Sequence, residues 1–247
     1  MKIFLLLLFP YFCFSQINFI DVDGMKQGYW KLYFPYNKDS VVSEEGEFID
    51  DLENGIWIKY HESGQIREIV NYTNGKLDGV RVVLTKRGRL SEQEFFINGK
   101  YDGYQIYFYD NGKKSSELFY NNGFRDGVCM KYYKNGKKQE LSYYKQNKKN
   151  GLAQWYYDDE TISTQYTYLD GFIVDTVFTY YKTGQLKSKS PYFNNELNGE
   201  KIVFFPSGIT KEKTSFSDGK RHGNSCFYDS LGRKKSRVNY KNGLKDE

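Results

Sequence analysis

Glycine returns every 24 residues through most of this 247-residue chain, and a chain with that period builds from one small unit stacked on copies of itself. A first column runs Gly28, Gly55, Gly79, Gly103, Gly127, Gly151, Asp175, Gly199 and Gly223, with a three-residue insertion in the first unit. A second runs Gly64, Gly88, Gly112, Gly136, Glu160, Gly184, Gly208 and Gly232. The third is Gly75, Gly99, Gly123, Asn147, Gly171, Asn195, Gly219 and Gly243. Asparagine is the non-glycine residue that best tolerates φ > 0, so its use in the third column marks left-handed backbone in a turn. Nine units follow, the first irregular.

Between the glycines lie two segments per unit, such as "YQIYFYDNG" (104–112) and "KKSSELFYNNG" (113–123). They are rich in strand-forming Tyr, Phe, Ile and Val and bounded by Asn-Gly and Asp-Gly, the strongest short-range hairpin signal. No segment carries a 3.6-residue stripe. The expected fold is all-β: an elongated array of about nine 24-residue β-hairpin repeats forming a long twisted antiparallel single-layer sheet. Its eighteen strands, at about 4.8 Å each, would extend on the order of 85 Å. Only 39% of residues are hydrophobic while 19% are aromatic, with 24 Tyr and 19 Phe, so rings must supply most of the packing. Two columns provide them. Tyr60, Leu84, Phe108, Tyr132, Tyr156, Tyr180, Phe204 and Tyr228 stand five after the first glycine; Tyr72, Phe96, Tyr120, Tyr144, Tyr168, Tyr192, Phe216 and Tyr240 stand eight after the second. Edge-to-edge pairing of hairpins turns them into two cross-strand ladders.

The N-terminus stands apart. "MKIFLLLLFPYFCFSQ" has one Lys, an apolar run and a Cys-Phe-Ser sequence, the pattern of a signal peptide cut after Ser15. The run is shorter than the roughly 20 residues of a membrane span. Bulky Tyr and Phe before Cys13 argue against a lipid anchor. The expected organisation is a signal peptide over 1–15, an N-terminal cap segment over 16–27 and the repeat array over 28–247, with the product periplasmic, at the cell surface or secreted. Export permits disulfides, but Cys129 and Cys226 lie four repeats apart, on the order of 38 Å, against a disulfide reach of about 7 Å. No bridge between them is expected. The last strand, "RKKSRVNY" (233–240), carries four positive charges, which discourage edge pairing.

"NGKLDG" (74–79), "NGKYDG" (98–103) and "DGKRHG" (218–223), each leading into Gly-x-x-x-x-Tyr/Phe and a turn glycine, resemble MORN repeats. "KYYKNG" (131–136) and "TYYKTG" (179–184) are similar to the divergent bacterial form with YY-x-x-G, some members of which are labelled antitoxin-like. The resemblance covers about 21–247. It implies single-layer hairpin arrays acting as scaffolds or binding surfaces, with no catalytic residues to carry over. The usual unit has a further glycine two after the first; here Arg81, Gln105 and Cys129 occupy that position.

Catalytic and metal constellations are absent from the sequence pattern. His61 and His222 fall at different places in units seven repeats apart, and no G-x-S-x-G, P-loop or H-E-x-x-H occurs. The glycine intervals do not match calcium-binding nonapeptides. Asp158-Asp159-Glu160 reads as a solvated turn. No cofactor, no metal and no enzymatic activity are expected. The net charge is +5, weak for nucleic-acid binding, and export disfavours that partner. Lysine pairs such as Lys113-Lys114, Lys137-Lys138 and Lys148-Lys149 recur near turns; peripheral membrane contact through them is the less favoured use.

The column six after the first glycine reads His61, Thr85, Tyr109, Tyr133, Tyr157, Tyr181, Phe205 and Asp229, where a solvated face would carry charge. By alternation Tyr107 and Trp155 share its face. Tyr107, Tyr109, Tyr133, Trp155, Tyr157 and Tyr181 are therefore the candidate binding residues. They serve either as bracing for a one-layer sheet or as an exposed strip for a partner. The expected function is a non-catalytic, exported protein-binding scaffold acting through its sheet surface, with a cell-envelope carbohydrate module using the Tyr/Trp strip as the alternative.

Overall fold

The computed structural model describes residues 16–36 and 41–246, and no helix occurs among them. The signal peptide assigned to 1–15, with Cys13, lies outside the described residues. Two compact units partition the chain at Gly88/Arg89. The first contains β1 (Phe19–Ile20), β2 (Lys26–Tyr33), β3 (Val42–Ile49), β4 (Leu52–Tyr60), β5 (Ile66–Thr73) and β6 (Lys76–Leu84). Each pairs antiparallel with the next. The second contains β7 (Leu90–Ile97), β8 (Lys100–Tyr101), β9 (Gly103–Phe108), β10 (Lys114–Asn121), β11 (Phe124–Tyr132), β12 (Lys138–Lys145), β13 (Lys148–Tyr156), β14 (Ile162–Leu169), β15 (Phe172–Tyr180), β16 (Leu186–Phe193), β17 (Glu196–Leu197), β18 (Gly199–Phe204), β19 (Thr210–Ser217), β20 (Lys220–Tyr228), β21 (Lys234–Lys241) and β22 (Leu244–Asp246). These too form an antiparallel meander, with β8 and β9 sharing β7, and β17 and β18 sharing β16.

Positive φ was expected in the third glycine column and occurs in all three. The third column closes two-residue turns in which both central residues are left-handed, as at Asn74 (φ 50°) and Gly75 (φ 71°), the geometry that matches strand twist. Asp50 and Asp51 make the same turn in the irregular first unit without any glycine. The second column ends three-residue loops. Gly112 N donates to Tyr109 O and Tyr109 N to Lys113 O, both at 2.8 Å, with Gly112 at φ 80°. The first column sits in bulges: Leu118 faces Cys129 and Tyr120 faces Arg125, so Phe119 stands opposite Asp126, Gly127 and Val128. At Gly103 the bulge is closed by a side chain. Gln105 Oε1 accepts from Phe95 N at 2.9 Å and its Nε2 donates to Phe95 O at 3.0 Å, beside the backbone bond from Asp102 N to Phe95 O at 3.0 Å.

The two aromatic ladders lie on opposite faces. Trp57 pairs Val70 and Lys59 pairs Glu68, while Ile58 pairs Ile69 between them, so Tyr60 points away from the face that carries Trp57 and Tyr72. Neither ladder is the best-buried column. That place belongs to the residue two after the first glycine: Trp57, Gln105, Cys129, Ala153, Val177 and Ser225 are all buried. In the first unit Trp30 and Trp57 of this column pack with Phe48 and Val70 as a core, the Phe48 and Trp57 rings edge to face at 4.8 Å. Gly46 lies under Trp57, where an added Cβ would come within 2.4 Å of the indole. In the second unit the buried members of this column are Gln105, Cys129, Ala153, Val177 and Ser225, none of them a ring. Cys129 and Cys226 are both free, and register puts them on opposite faces, Cys129 opposite Ser142 and Cys226 one step beyond Ser225.

Glu160 occupies a second-column position at φ 75°, where a Cβ is strained. Glu160→Gly is expected to raise stability by about 1 kcal/mol, read as a higher urea midpoint with unchanged slope. A lower midpoint would mean that the loop does not require left-handed backbone.

Candidate functional site

The six candidate residues are placed by the loops and bulges just described. Tyr109, Tyr133, Tyr157 and Tyr181 each open a three-residue loop, and each hydroxyl reaches the next repeat. They donate to the carbonyls of Tyr132, Tyr156, Tyr180 and Phe204 at 2.7, 2.6, 2.8 and 2.7 Å. His61 Nε2 lies 3.4 Å from Leu84 O in the same slot of the first unit. The tyrosine hydroxyls thus form a row of bonds that tie one repeat to the next along one edge. At the other edge the third column does the same with backbone: Gly75, Gly123, Asn147 and Gly171 donate their N–H to Glu53, Tyr101, Arg125 and Lys149 carbonyls of the preceding repeat at 2.8–2.9 Å.

Tyr107 and Trp155 lie further in, in different repeats. Tyr107 and Tyr101 both donate to Glu94 Oε1, at 2.9 and 2.8 Å. Burial, then the Glu94 carboxylate, push the Tyr107 phenol well above its ordinary range. Trp155 packs edge-on to Tyr166 at 5.0 Å, with Lys149 Nζ 4.5 Å above its ring. Both share a face with the Tyr144 and Tyr168 ladder. The six residues therefore run along the array, one or two per repeat, and do not converge on one point.

The same face carries buried charge. Glu140 is bracketed by Lys131 at 2.8 Å and Lys149 at 2.9 Å, with Ser142 Oγ donating at 3.2 Å. Glu68 sits likewise between Arg81 at 2.9 Å and Lys59 at 3.8 Å. Burial raises the Glu140 pKa, but the hydrogen bonds and charges of Lys131 and Lys149 outweigh it and hold the carboxyl below its ordinary value. On the opposite face Tyr60 donates to Glu45 at 2.5 Å, and burial together with Glu45 pushes its phenol up to about 12.

That opposite face carries a feature outside the candidate set. Phe95, Tyr104, Phe119, Val128, Tyr143 and Leu152 form one row across β7 and β9–β13. Tyr104 pairs Phe119 with rings 5.0 Å apart, and Val128 pairs Tyr143. Tyr104 is 54% exposed, and Phe95, Tyr143 and Leu152 are exposed as well. The signal was present in the sequence as the residue directly after the first glycine: Ile56, Val80, Tyr104, Val128 and Leu152 are apolar, and Thr176, Glu200 and Asn224 are not.

Fold and surface define a β-hairpin repeat protein whose large side chains are spent partly on tying repeats together. Four segments, 53–74, 101–122, 125–146 and 176–194, match the family model of the MORN repeat variant, so the chain carries repeats of that family. Three of the four begin two residues before a first-column glycine. Such repeats commonly mediate protein or membrane interactions and belong to a generally non-enzymatic class. No curated protein matches the chain.

A carboxyl held below its ordinary value stabilises the fold above the unfolded pKa, here 4.5, and loses that contribution as pH falls through the folded value. Glu140→Gln is expected to cost about 2 kcal/mol at pH 7, since it leaves two lysines facing an uncharged group. The gap from wild type should close towards pH 3 in urea titrations. A gap independent of pH would show that the Glu140 charge does not stabilise the array.

Proposed function

We propose that the protein is an exported, non-catalytic scaffold that binds another protein through its sheet surface, and that the Phe95–Leu152 row is the contact. The row is the observation that supports this reading. It spans six neighbouring strands, about 24 Å at 4.8 Å per strand. Tyrosine and phenylalanine there are exposed side by side, whereas isolated exposed apolar residues would need no explanation. Rigid aromatic anchors on a stiff sheet lose little entropy on binding, which is why such residues dominate interface energetics. The turn tyrosines act as bracing in this reading, because their hydroxyls are already bonded to the next repeat.

Export rests on the sequence of residues 1–15, and mass analysis of the protein from its native cells should find Gln16 at the N-terminus. An intact Met1 in the accumulated protein would contradict it. For the surface, residues 16–247 and a Tyr104→Ser/Tyr143→Ser variant of unchanged circular dichroism are compared in capture from the envelope fraction. A single protein retained by wild type and at least tenfold depleted with the variant is expected. Equal retention by both would contradict the row as the interface. Release by soluble oligosaccharide would favour the carbohydrate reading instead.

A further inference from the structure

Two of the buried carboxylates, Glu68 and Glu140, occupy one position of the repeat, four residues after the second-column glycine. Glu68 follows Gly64 and Glu140 follows Gly136, and each sits between two cations. Of the two repeats between them, one keeps a glutamate there as Glu92, and in the other Ser116 follows Gly112. Tyr107 on β9 pairs Ser116 in the slot from which Lys131 pairs Glu140, so both cations near Ser116 come from β11. Lys131 stands directly opposite Ser116 on β11. Arg125, two residues before Gly127, holds the place that Lys149 holds before Gly151. With serine where glutamate would be, a cavity of about 270 Å³ opens among Ser116, Leu118, Arg125, Cys129, Lys131 and Tyr144.

We propose that this cavity binds a carboxylate on a small apolar body, the ligand's carboxylate taking the position that Glu68 and Glu140 fill in other repeats. Arg125 is held ready for it. Its Nε donates to Tyr120 OH at 2.9 Å, and its guanidinium lies 5.8 and 5.7 Å from the Tyr120 and Tyr144 ring centroids. It makes no ion pair among the described residues, so its terminal nitrogens remain for a bidentate contact with a planar carboxylate. Lys131, bound to Glu140 at 2.8 Å through one of three donors, supplies a second cation. The Ser116 hydroxyl has no hydrogen-bond partner among the described residues. Leu118, Cys129 and the Tyr144 ring supply the apolar wall. The volume leaves room for a molecule such as benzoate. The cavity opens on the face opposite the Phe95–Leu152 row and does not depend on that row binding anything.

The ligand's carboxylate has two possible sources, a free small acid or the side chain of a partner protein. Benzoate, benzyl alcohol and the peptide acetyl-Gly-Phe-Glu-Gly-amide are titrated into the 16–247 protein, following the Arg125 Nε–H resonance. Saturable shifts with benzoate or the peptide, and none with benzyl alcohol, are expected; the tighter of the two assigns the source. Arg125→Leu is expected to weaken binding at least tenfold. Ser116→Glu supplies the carboxylate internally, so it should abolish binding while raising the melting temperature. Equal shifts with benzyl alcohol, no saturation with either acid, or undiminished binding by a folded Ser116→Glu protein would overturn the proposal.

Discussion

Left-handed backbone at three places in every fully described repeat is the constraint on which the rest of the structure depends. A sheet with no second layer cannot rely on a thick core, so each strand must leave its neighbour at an angle and distance set by the chain itself. The two-residue turns and three-residue loops do this, and each needs φ > 0. Glycine supplies it at no steric cost, Asn at little, and the few positions held by Asp175 or Glu160 do so under strain. The bulge at the first column adds local twist and lets one residue, such as Phe119, stand opposite three.

Given that backbone, the side chains divide their work between the two faces and the two edges. One face has a buried floor, filled by Trp30, Phe48 and Trp57 in the first unit and by residues such as Gln105, Cys129 and Ala153 in the second. Glu68 and Glu140 on that floor are neutralised by cations from adjacent strands, which makes them tolerable despite burial. The edges join repeat to repeat, by tyrosine hydroxyls on one side and turn N–H groups on the other. A repeat lacking one of these partners, as Phe205 lacks a hydroxyl, still keeps the opposite edge. Stability in such an array is close to a sum of neighbour terms, which leaves single positions free to vary and acquire other uses.

Much of this was legible in the chain. Period, strand boundaries and hairpin turns follow from glycine spacing and Asn-Gly pairs, because turn conformation is decided by a few adjacent residues. That Cys129 and Cys226 stay apart also follows from the repeat count. The faces were harder. The Tyr60 and Tyr72 columns look alike, and only cross-strand register shows that they point opposite ways. Tyr109 and its equivalents read as either bracing or an exposed strip, because the sequence does not reveal a hydroxyl reaching a carbonyl 23 residues on. The apolar column after the first glycine was visible, but the exposure of Tyr104 depends on the bulge beside it. The vacancy at Ser116 emerges only when Glu68 and Glu140 are seen between their cations.

Amide hydrogen exchange at the turn tips tests the central claim most directly. Gly123, Asn147 and Gly171 occupy exposed turns, where an unbonded N–H would exchange within seconds. The structure has each donating to the preceding repeat, at 2.8, 2.9 and 2.8 Å. Their protection should therefore match that of central strand amides such as Cys129, and fall together with it as denaturant is added. Exchange at free-turn rates, with the strands still protected, would show that the repeats are not latched at their turns and that strand pairing alone holds the array.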